Sequence, residues 1–183
     1  MTSSSVSTGQ TPAPPRVQPS GVEIEGIALR DLRYFEDAGV DSEEIFDDAW
    51  PEPGQLNFTG LINLISHTNV EFSMFVRARL TVDDAVFGLM ASFSAMFSRS
   101  KIIEARPFLQ FINRQGAPLL FPYVREVVSS VSARSVYRPV NLAPLIIAPL
   151  IDEETLDAHI SNLETLIAEQ RPSDNINEPK PTE

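Results

Sequence analysis

The chain has 183 residues, with 25 acidic and 14 basic side chains and a formal net charge of −11. This length predicts a single folded domain, and 43% hydrophobic residues with 11 Phe can form a core, which excludes a wholly disordered chain. The acidic balance disfavours binding to nucleic acid, which needs clustered Lys and Arg, and the absence of Cys excludes disulfides, thiolate metal sites and cysteine nucleophiles.

Two polar segments flank the predicted domain. Residues 1–21 are rich in Ser, Thr and Pro, and residues 171–183 are polar and rich in Pro, so we expect two disordered tails around a domain at 22–170. The first 21 residues contain no apolar run and only one base, Arg16, which argues against a secretory signal. The stretch from Leu142 to Leu150 is interrupted by two prolines and is too short to span a bilayer. We therefore expect a cytoplasmic protein without membrane insertion.

The first half of the domain shows the alternation that is typical of strands. Residues 22–35 alternate up to Gly26 and resume in the other phase at Ile27, which indicates a strand with a β-bulge near Gly26. Residues 36–52 carry eight acids and no base and are predicted to form a loop. From Val70 to Val82 the even positions are apolar and the odd ones polar, with Phe75 as the exception. A second alternation from Ala85 to Phe97 completes a predicted antiparallel hairpin.

The second half shows helical spacing. One apolar stripe predicts a helix with Pro122 in its first turn, and it consists of Leu120, Val124, Val127, Val128 and Val131. The prolines of residues 140–150 favour an extended segment. A last helix is predicted to begin at the N-cap Asp152, and its apolar face consists of Leu156, Ile160, Leu163 and Ile167. Strands followed by helices predict an α+β fold, with the helices packed on one face of an antiparallel sheet.

Few residues offer catalytic chemistry. The two histidines, His67 and His159, are far apart in sequence and belong to no metal-binding motif, and the eight glycines form no phosphate-binding loop. The acidic pairs Glu43-Glu44 and Asp47-Asp48 lack the alternating spacing of a calcium loop and are better explained as a solvated loop. An enzyme is therefore disfavoured, and neither a metal nor a cofactor is predicted.

Apolar residues also occur where a one-sided sheet does not need them. Phe46, Trp50, Phe58 and Phe75 are examples. An ordinary core with a subunit interface would explain them, and so would a groove that accepts apolar segments of other proteins. The pattern alone leaves both explanations open.

Two sequence blocks resemble the SecB family of bacterial protein-export chaperones. The first is LFPYVRE, which comprises Leu120, Phe121, Pro122, Tyr123, Val124, Arg125 and Glu126, and the second is NLAP, which comprises Asn141, Leu142, Ala143 and Pro144. Looser similarity extends over about residues 22–170. It includes Ile27 to Phe35, which resembles the family's first strand, and Phe46 with Trp50, which resembles its crossover loop.

The resemblance implies a four-stranded antiparallel sheet with two helices per subunit, assembled as a dimer of dimers. It implies an ATP-independent holdase, a homotetramer that binds non-native polypeptides in hydrophobic grooves and delivers them to the SecA motor. On this basis the expected client-binding residues are Phe46, Trp50, Leu56, Phe58 and Phe75. The motif residues, among them Tyr123, Arg125 and Glu126, are expected to brace the helix and the subunit interface.

The family's SecA-docking surface is only partly present. The resemblance places its first acid at Asp31, its second at Phe35, with Glu36 one residue later, and its third at Met90. Asp31 and Glu36 are therefore the candidate SecA-docking residues, and the loss of two acids leaves alternatives open. These are a SecB-like chaperone dedicated to one client, such as an antitoxin, and an adaptor that kept the fold without the groove.

Overall fold

The computed structural model describes residues 21–36, 50–82, 85–100, 102–134 and 139–170. Within these ranges the chain forms four strands followed by two helices. The strands are β1 (Val22–Glu36), β2 (Gln55–Leu64), β3 (Asn69–Val82) and β4 (Ala85–Arg99). The helices are α1 (Ala105–Ser132) and α2 (Glu153–Glu169). The predicted α+β fold is confirmed.

All four strands belong to one antiparallel sheet with the order β1-β4-β3-β2. The predicted hairpin is confirmed as β3 and β4, which pair from Asn69 opposite Ser98 to Val82 opposite Ala85. The predicted bulge near Gly26 is also confirmed, and a second irregularity lies between Leu29 and Asp31. Because β1 and β2 are the outer strands, each leaves one edge without a strand partner among the described residues.

The core lies between one face of the sheet and the two helices. The even positions of β3 and the odd positions of β4 supply many of its largest buried side chains, among them Phe72, Met74 and Phe93. Helix α1 packs on β4, β3 and β1, and α2 packs on α1 and β2. A Cβ at Gly116 of α1 would lie 2.7 Å from the Phe72 ring, so the absence of a side chain there allows the helix to approach the sheet. Both helices therefore pack on the same face, as predicted.

The predicted start of the first helix is wrong. The helix begins at Ala105, so Pro122 lies in its interior, as does Pro118. A proline removes the hydrogen bond to the carbonyl four residues earlier, which would leave two carbonyls without helical partners. Pro118 and Pro122 are both exposed, so water can bond these carbonyls on the solvent side of the helix. The proline that uses the first turn is Pro107.

Other predictions fall partly outside the described residues. The last helix is confirmed, because Asp152 caps α2 and accepts a hydrogen bond from the Thr155 amide. Most of the acidic stretch 36–52, the turn at 83–84 and the two predicted tails lie outside the described ranges. None of the helices in the described part of the chain combines the length and the apolar character that crossing a lipid bilayer requires.

Candidate functional site

An opening lined mainly by apolar residues lies beside the outer strand β2. Leu56 and Phe58 point to the helix side of the sheet, because they pair with the buried residues Ala78 and Val76. Together with the extended segment 145–150 they line a groove of about 420 Å³. None of the residues that line this groove is charged. We call it the edge groove.

The wall opposite β2 consists of an aliphatic segment that is unusually exposed. Ile146 is fully exposed and Leu145 is 46% exposed, whereas Ile147 and Leu150 are half-buried. Water around such side chains is released when another apolar group covers them, which makes this wall favourable for contact with an apolar chain.

Side chains of α1 hold this wall in place at both ends. At one end the buried amide of Asn113 donates to the Ile151 carbonyl at 2.9 Å and accepts from the Ile151 amide at 3.1 Å. At the other end Arg125 donates through Nε to the Leu142 carbonyl at 2.8 Å. The aliphatic segment is therefore fixed although it belongs to no helix or strand.

The two resemblance motifs contact each other through the bond from Arg125 to the Leu142 carbonyl. Three residues beyond the first motif, the hydroxyl of Ser129 donates to the Asn141 side chain at 3.2 Å. Leu120 and Phe121 are buried, and the Phe121 ring contacts Phe58 edge-to-face at 6.0 Å. Val124 is buried as well, whereas the other motif residues are exposed, namely Pro122, Tyr123, Glu126, Ala143 and Pro144.

A second opening lies on the opposite face of the sheet. It is a trough of about 370 Å³ that crosses all four strands, and Phe75, Met90 and Arg77 line it. Phe75 is 44% exposed there. The resemblance implies client binding by Phe75 as well as by Leu56 and Phe58. The sheet lies between Phe75 and the other two residues, which are on its helix side. We call this opening the outer trough.

Asp31 lies at the β1 side of the outer trough. Its carboxylate forms an ion pair with Arg33 at 3.3 Å, so its charge is partly neutralised. Glu36 pairs in register with Phe87, a buried core residue, whereas Phe35 pairs with Gly88. The two candidate docking residues therefore stand at register positions that belong to opposite faces of β1.

The other predicted client-binding residues are distributed differently. Trp50 is half-buried and contacts Phe35 edge-to-face at 5.9 Å, at the end of β1. Phe46 lies outside the described residues. Of the four that lie within the described ranges, only Leu56 and Phe58 share one groove.

A third apolar surface follows the free edge of β1. Ile24, Leu29 and Leu32 pair in register with buried residues of β4, yet each is at least 37% exposed. Helix α1 therefore covers only part of the helix-side face of this strand, where Ile27 and Tyr34 pack against the core, and leaves these three side chains exposed. We call these three residues the β1 patch.

The sequence did not identify the wall at 145–150 as part of a site. Its prolines predicted an extended segment, which is what the structure contains, but its role was missed because it has neither helical nor strand periodicity. The signal that could have identified it is a group of large aliphatic residues in a proline-containing extended stretch. These residues are Leu145, Ile146, Ile147 and Leu150. An extended chain over a sheet edge has room to bury only some of them.

The arrangement offers little for acid–base or metal chemistry. His67 lies in the β2–β3 connection and His159 on α2, and both are half-buried. In the part of the chain that the structure describes, no group of three or more acidic or His side chains could hold a metal ion. The chemistry available at the edge groove is the burial of apolar surface.

Comparison with known proteins places this geometry in context. The family model described as preprotein translocase subunit SecB matches residues 16–155. The fold is similar to that of the Mycobacterium tuberculosis SecB-like chaperone Rv1957, solved in complex with a ChAD peptide from the HigA1 antitoxin. That similarity has a TM-score of 0.52 and 16% identity, and it covers 68% of this chain and 90% of that one.

A protein of unknown function from Streptococcus agalactiae is also similar, with a TM-score of 0.44 and 18% identity over 67% of this chain and 97% of that one. Comparison with curated protein sequences gives no significant match. The SecB family model covers more than three quarters of the chain and includes both sequence motifs. The chain therefore belongs to the SecB family, whose members are chaperones.

Proposed function

We propose that this protein is an ATP-independent holdase that binds extended apolar segments of non-native polypeptides in the edge groove. The observation that carries the proposal is the exposed aliphatic wall, where Ile146 and Leu145 face the Leu56 and Phe58 side of β2 without a charged residue between them. Membership of a chaperone family supports the same conclusion. A cytoplasmic location, where unfolded chains are present before export or assembly, is part of the proposal.

The groove suits weak and sequence-tolerant binding. Burial of one Leu or Ile side chain contributes about 1.5–3 kcal/mol, so a few client side chains give modest affinity at a single groove. The free edge of β2 adds backbone hydrogen-bonding groups that an extended client could pair with. Several grooves on one oligomer would then raise the overall affinity, because segments of one client bind together.

The proposed assembly is a homotetramer built as a dimer of dimers. The β1 patch supports an interface with a second copy, since a free strand edge beside exposed Ile24, Leu29 and Leu32 would be covered there. The assembly would also bring the grooves of several subunits within reach of one client.

Two roles are compatible with such a groove, namely delivery of clients to SecA and the protection of one dedicated client. The outer trough favours the second. Asp31 is paired with Arg33, and Met90 and Arg77 line the surface where a SecA-docking family member would present further acids. The similar chaperone from M. tuberculosis was solved with an antitoxin peptide, which supports a dedicated client in this fold. An adaptor without chaperone activity would form the oligomer and ignore unfolded chains.

The test is the light-scattering mass of the purified protein, alone and with a chemically unfolded, slow-folding client. We expect four times the subunit mass of 20.3 kDa, increased by one client chain after mixing. A tetramer that captures neither unfolded clients nor an antitoxin peptide would favour the adaptor, and a monomer would contradict the assembly.

A pair of variants tests the groove itself. Ile146→Asp places a charge on the fully exposed wall and should weaken client capture about ten-fold or more, because the apolar contact is lost. Ile65→Asp is the matched control, since Ile65 is 52% exposed but does not line the edge groove. Equal capture by the two variants would show that the edge groove is not the client site.

A further inference from the structure

A separate groove of about 390 Å³ lies between the first turn of α1 and the C-terminal half of α2. Its apolar walls include Ile103, Ala105, Ile167 and Ala168, and the side chain of Arg99 lines the same groove. The groove shares no residue with the edge groove or the outer trough.

Arg99 is an unusual residue to find there, because it is only 8% exposed. Its Nε donates to the His67 carbonyl at 2.7 Å and its Nη1 donates to the Ile103 carbonyl. Among the described residues no carboxylate forms an ion pair with Arg99, and its Nη2 makes no hydrogen bond. Burial lowers the pKa of the Arg99 guanidinium, but arginine stays charged at neutral pH. A buried charge without a counter-ion is costly, so this site favours an added carboxylate.

The first turn of α1 supplies a second electropositive feature. Its N-cap, Glu104, makes no side-chain capping bond, and the first turn contains no acid. Since Pro107 has no amide hydrogen, the amides of Ala105 and Arg106 remain for an outside acceptor. The positive end of the helix dipole and the guanidinium of Arg99 thus face the same groove.

The chain itself carries a segment that fits this chemistry. After Gln170 the sequence continues with RPSDNINEPKPTE, which contains acids and a single aliphatic residue, Ile176. It leaves α2 next to Ile167 and Ala168, which line the groove. Asp174 is four residues beyond Gln170, so an extended chain allows it to reach about 13 Å.

We propose that residues 171–183 dock in this groove, with the Asp174 carboxylate on the Arg99 guanidinium and Ile176 against its aliphatic walls. Two acids, Glu104 and Glu164, also line the groove. These two carboxylates favour a docked segment that also contains basic side chains, and residues 171–183 include Arg171 and Lys180. The proposal does not depend on chaperone activity.

The test is amide hydrogen exchange of the full-length protein without any client. Docking should slow exchange of the amides from Asp174 to Asn177 about ten-fold relative to an unstructured chain. Asp174→Asn should remove this protection, whereas Glu183→Gln, which deletes the same charge farther from the groove, should keep it. Exchange at the unstructured rate in the unchanged protein, or equal exchange in the two variants, would overturn the proposal.

A second measurement follows the groove rather than the tail. Ile176→Asp should speed hydrogen exchange at the Ala105 and Arg106 amides, because the weakened docking of residues 171–183 would expose these two donors to water. If an unfolded client, and not the tail, protects these two amides, the groove belongs to the client and the proposal is wrong. Arg99→Gln would test the guanidinium directly, and the tail variants decide the question if that change prevents folding.

Discussion

The amide side chain of Asn113 links the long helix to the aliphatic wall of the edge groove. It is 5% exposed and bonds both the amide and the carbonyl of Ile151. Asn113→Leu keeps a similar volume but leaves two buried backbone groups without partners, so we expect a loss of about 2–4 kcal/mol in the free energy of unfolding. Urea denaturation measures this loss.

Asn162→Leu is the control for that change, because Asn162 is exposed on α2. It should alter stability little. An unchanged urea midpoint for Asn113→Leu would mean that the wall at 145–150 is not held by this side chain.

Asp152 makes stability depend on pH. Hydrogen bonds from the Thr155 amide and then from its hydroxyl hold the pKa of the Asp152 carboxyl below its usual range. Because the pKa is lowered in the folded state, the stabilisation is present above the unfolded pKa of about 3.9 and is lost as the pH falls through the lowered value. Thermal unfolding of the Asp152→Asn variant should therefore show a lower melting temperature at neutral pH and no difference in strong acid.

Glu169→Gln serves as the comparison at the other end of the same helix. A carboxylate there opposes the helix dipole, so its removal should not lower the melting temperature at neutral pH. Equal melting temperatures of wild type and Asp152→Asn at neutral pH would contradict the argument that the ionised carboxylate of Asp152 stabilises the helix.

The contact of α1 with the sheet depends on Gly116. A Cβ at this position would lie 2.7–2.9 Å from atoms of the buried Phe72 ring. Alanine normally favours a helix over glycine by about 1 kcal/mol, but here the overpacking should dominate, and Gly116→Ala should destabilise the protein by about 1–3 kcal/mol. Thermal unfolding measures the change.

Gly26→Ala is the control for this change, because a Cβ at Gly26 would meet no atom of a residue beyond its chain neighbours within 4 Å. It should leave stability nearly unchanged. If Gly116→Ala is equally well tolerated, the helix does not approach the sheet as closely as described.

Elements with strong periodicity were predictable from the sequence. The alternation at residues 70–82 identified β3 and the one at 85–97 identified β4, and the cap at Asp152 identified α2. The first half of α1 was not predicted, because Pro107, Gly116 and Pro118 interrupt the helical pattern and only tertiary packing makes this stretch helical. Strand β2 was not identified from its own pattern, because Gly60 and Leu61 break the alternation that Leu56 begins.

The candidate site was predictable to a smaller extent. Leu56 and Phe58 were assigned to client binding and lie in one groove, but the resemblance could not show that Phe75 lies on the other face. The side on which a residue falls depends on strand register, and for β1 two bulges change that register. These register shifts depend on how β1 pairs with β4, which the sequence of β1 alone does not specify.

At the scale of the whole molecule, the β1 patch governs the expected assembly. Leu29 is 45% exposed in the subunit, so Leu29→Glu should cost little within one chain but would place a charge in a subunit interface. We expect this variant to shift the tetramer towards smaller species, as measured by light scattering.

Leu61→Glu is the matched control, because Leu61 is 51% exposed on the other edge strand and away from the β1 patch. It should remain tetrameric. A Leu29→Glu protein that keeps the mass of the wild type would remove β1 from the interface.

The two irregularities of β1 have a consequence for aggregation. A strand edge that stays flat and regular can recruit further strands without limit, which is how fibrils grow. Here the regular pairing is divided into three stretches, at residues 22–24, 26–29 and 31–36. A divided and twisted edge can accept one matching neighbour and discourages stacking beyond it. If this protein exposes apolar surface to unfolded chains as proposed, the divided edge would keep it from seeding an aggregate.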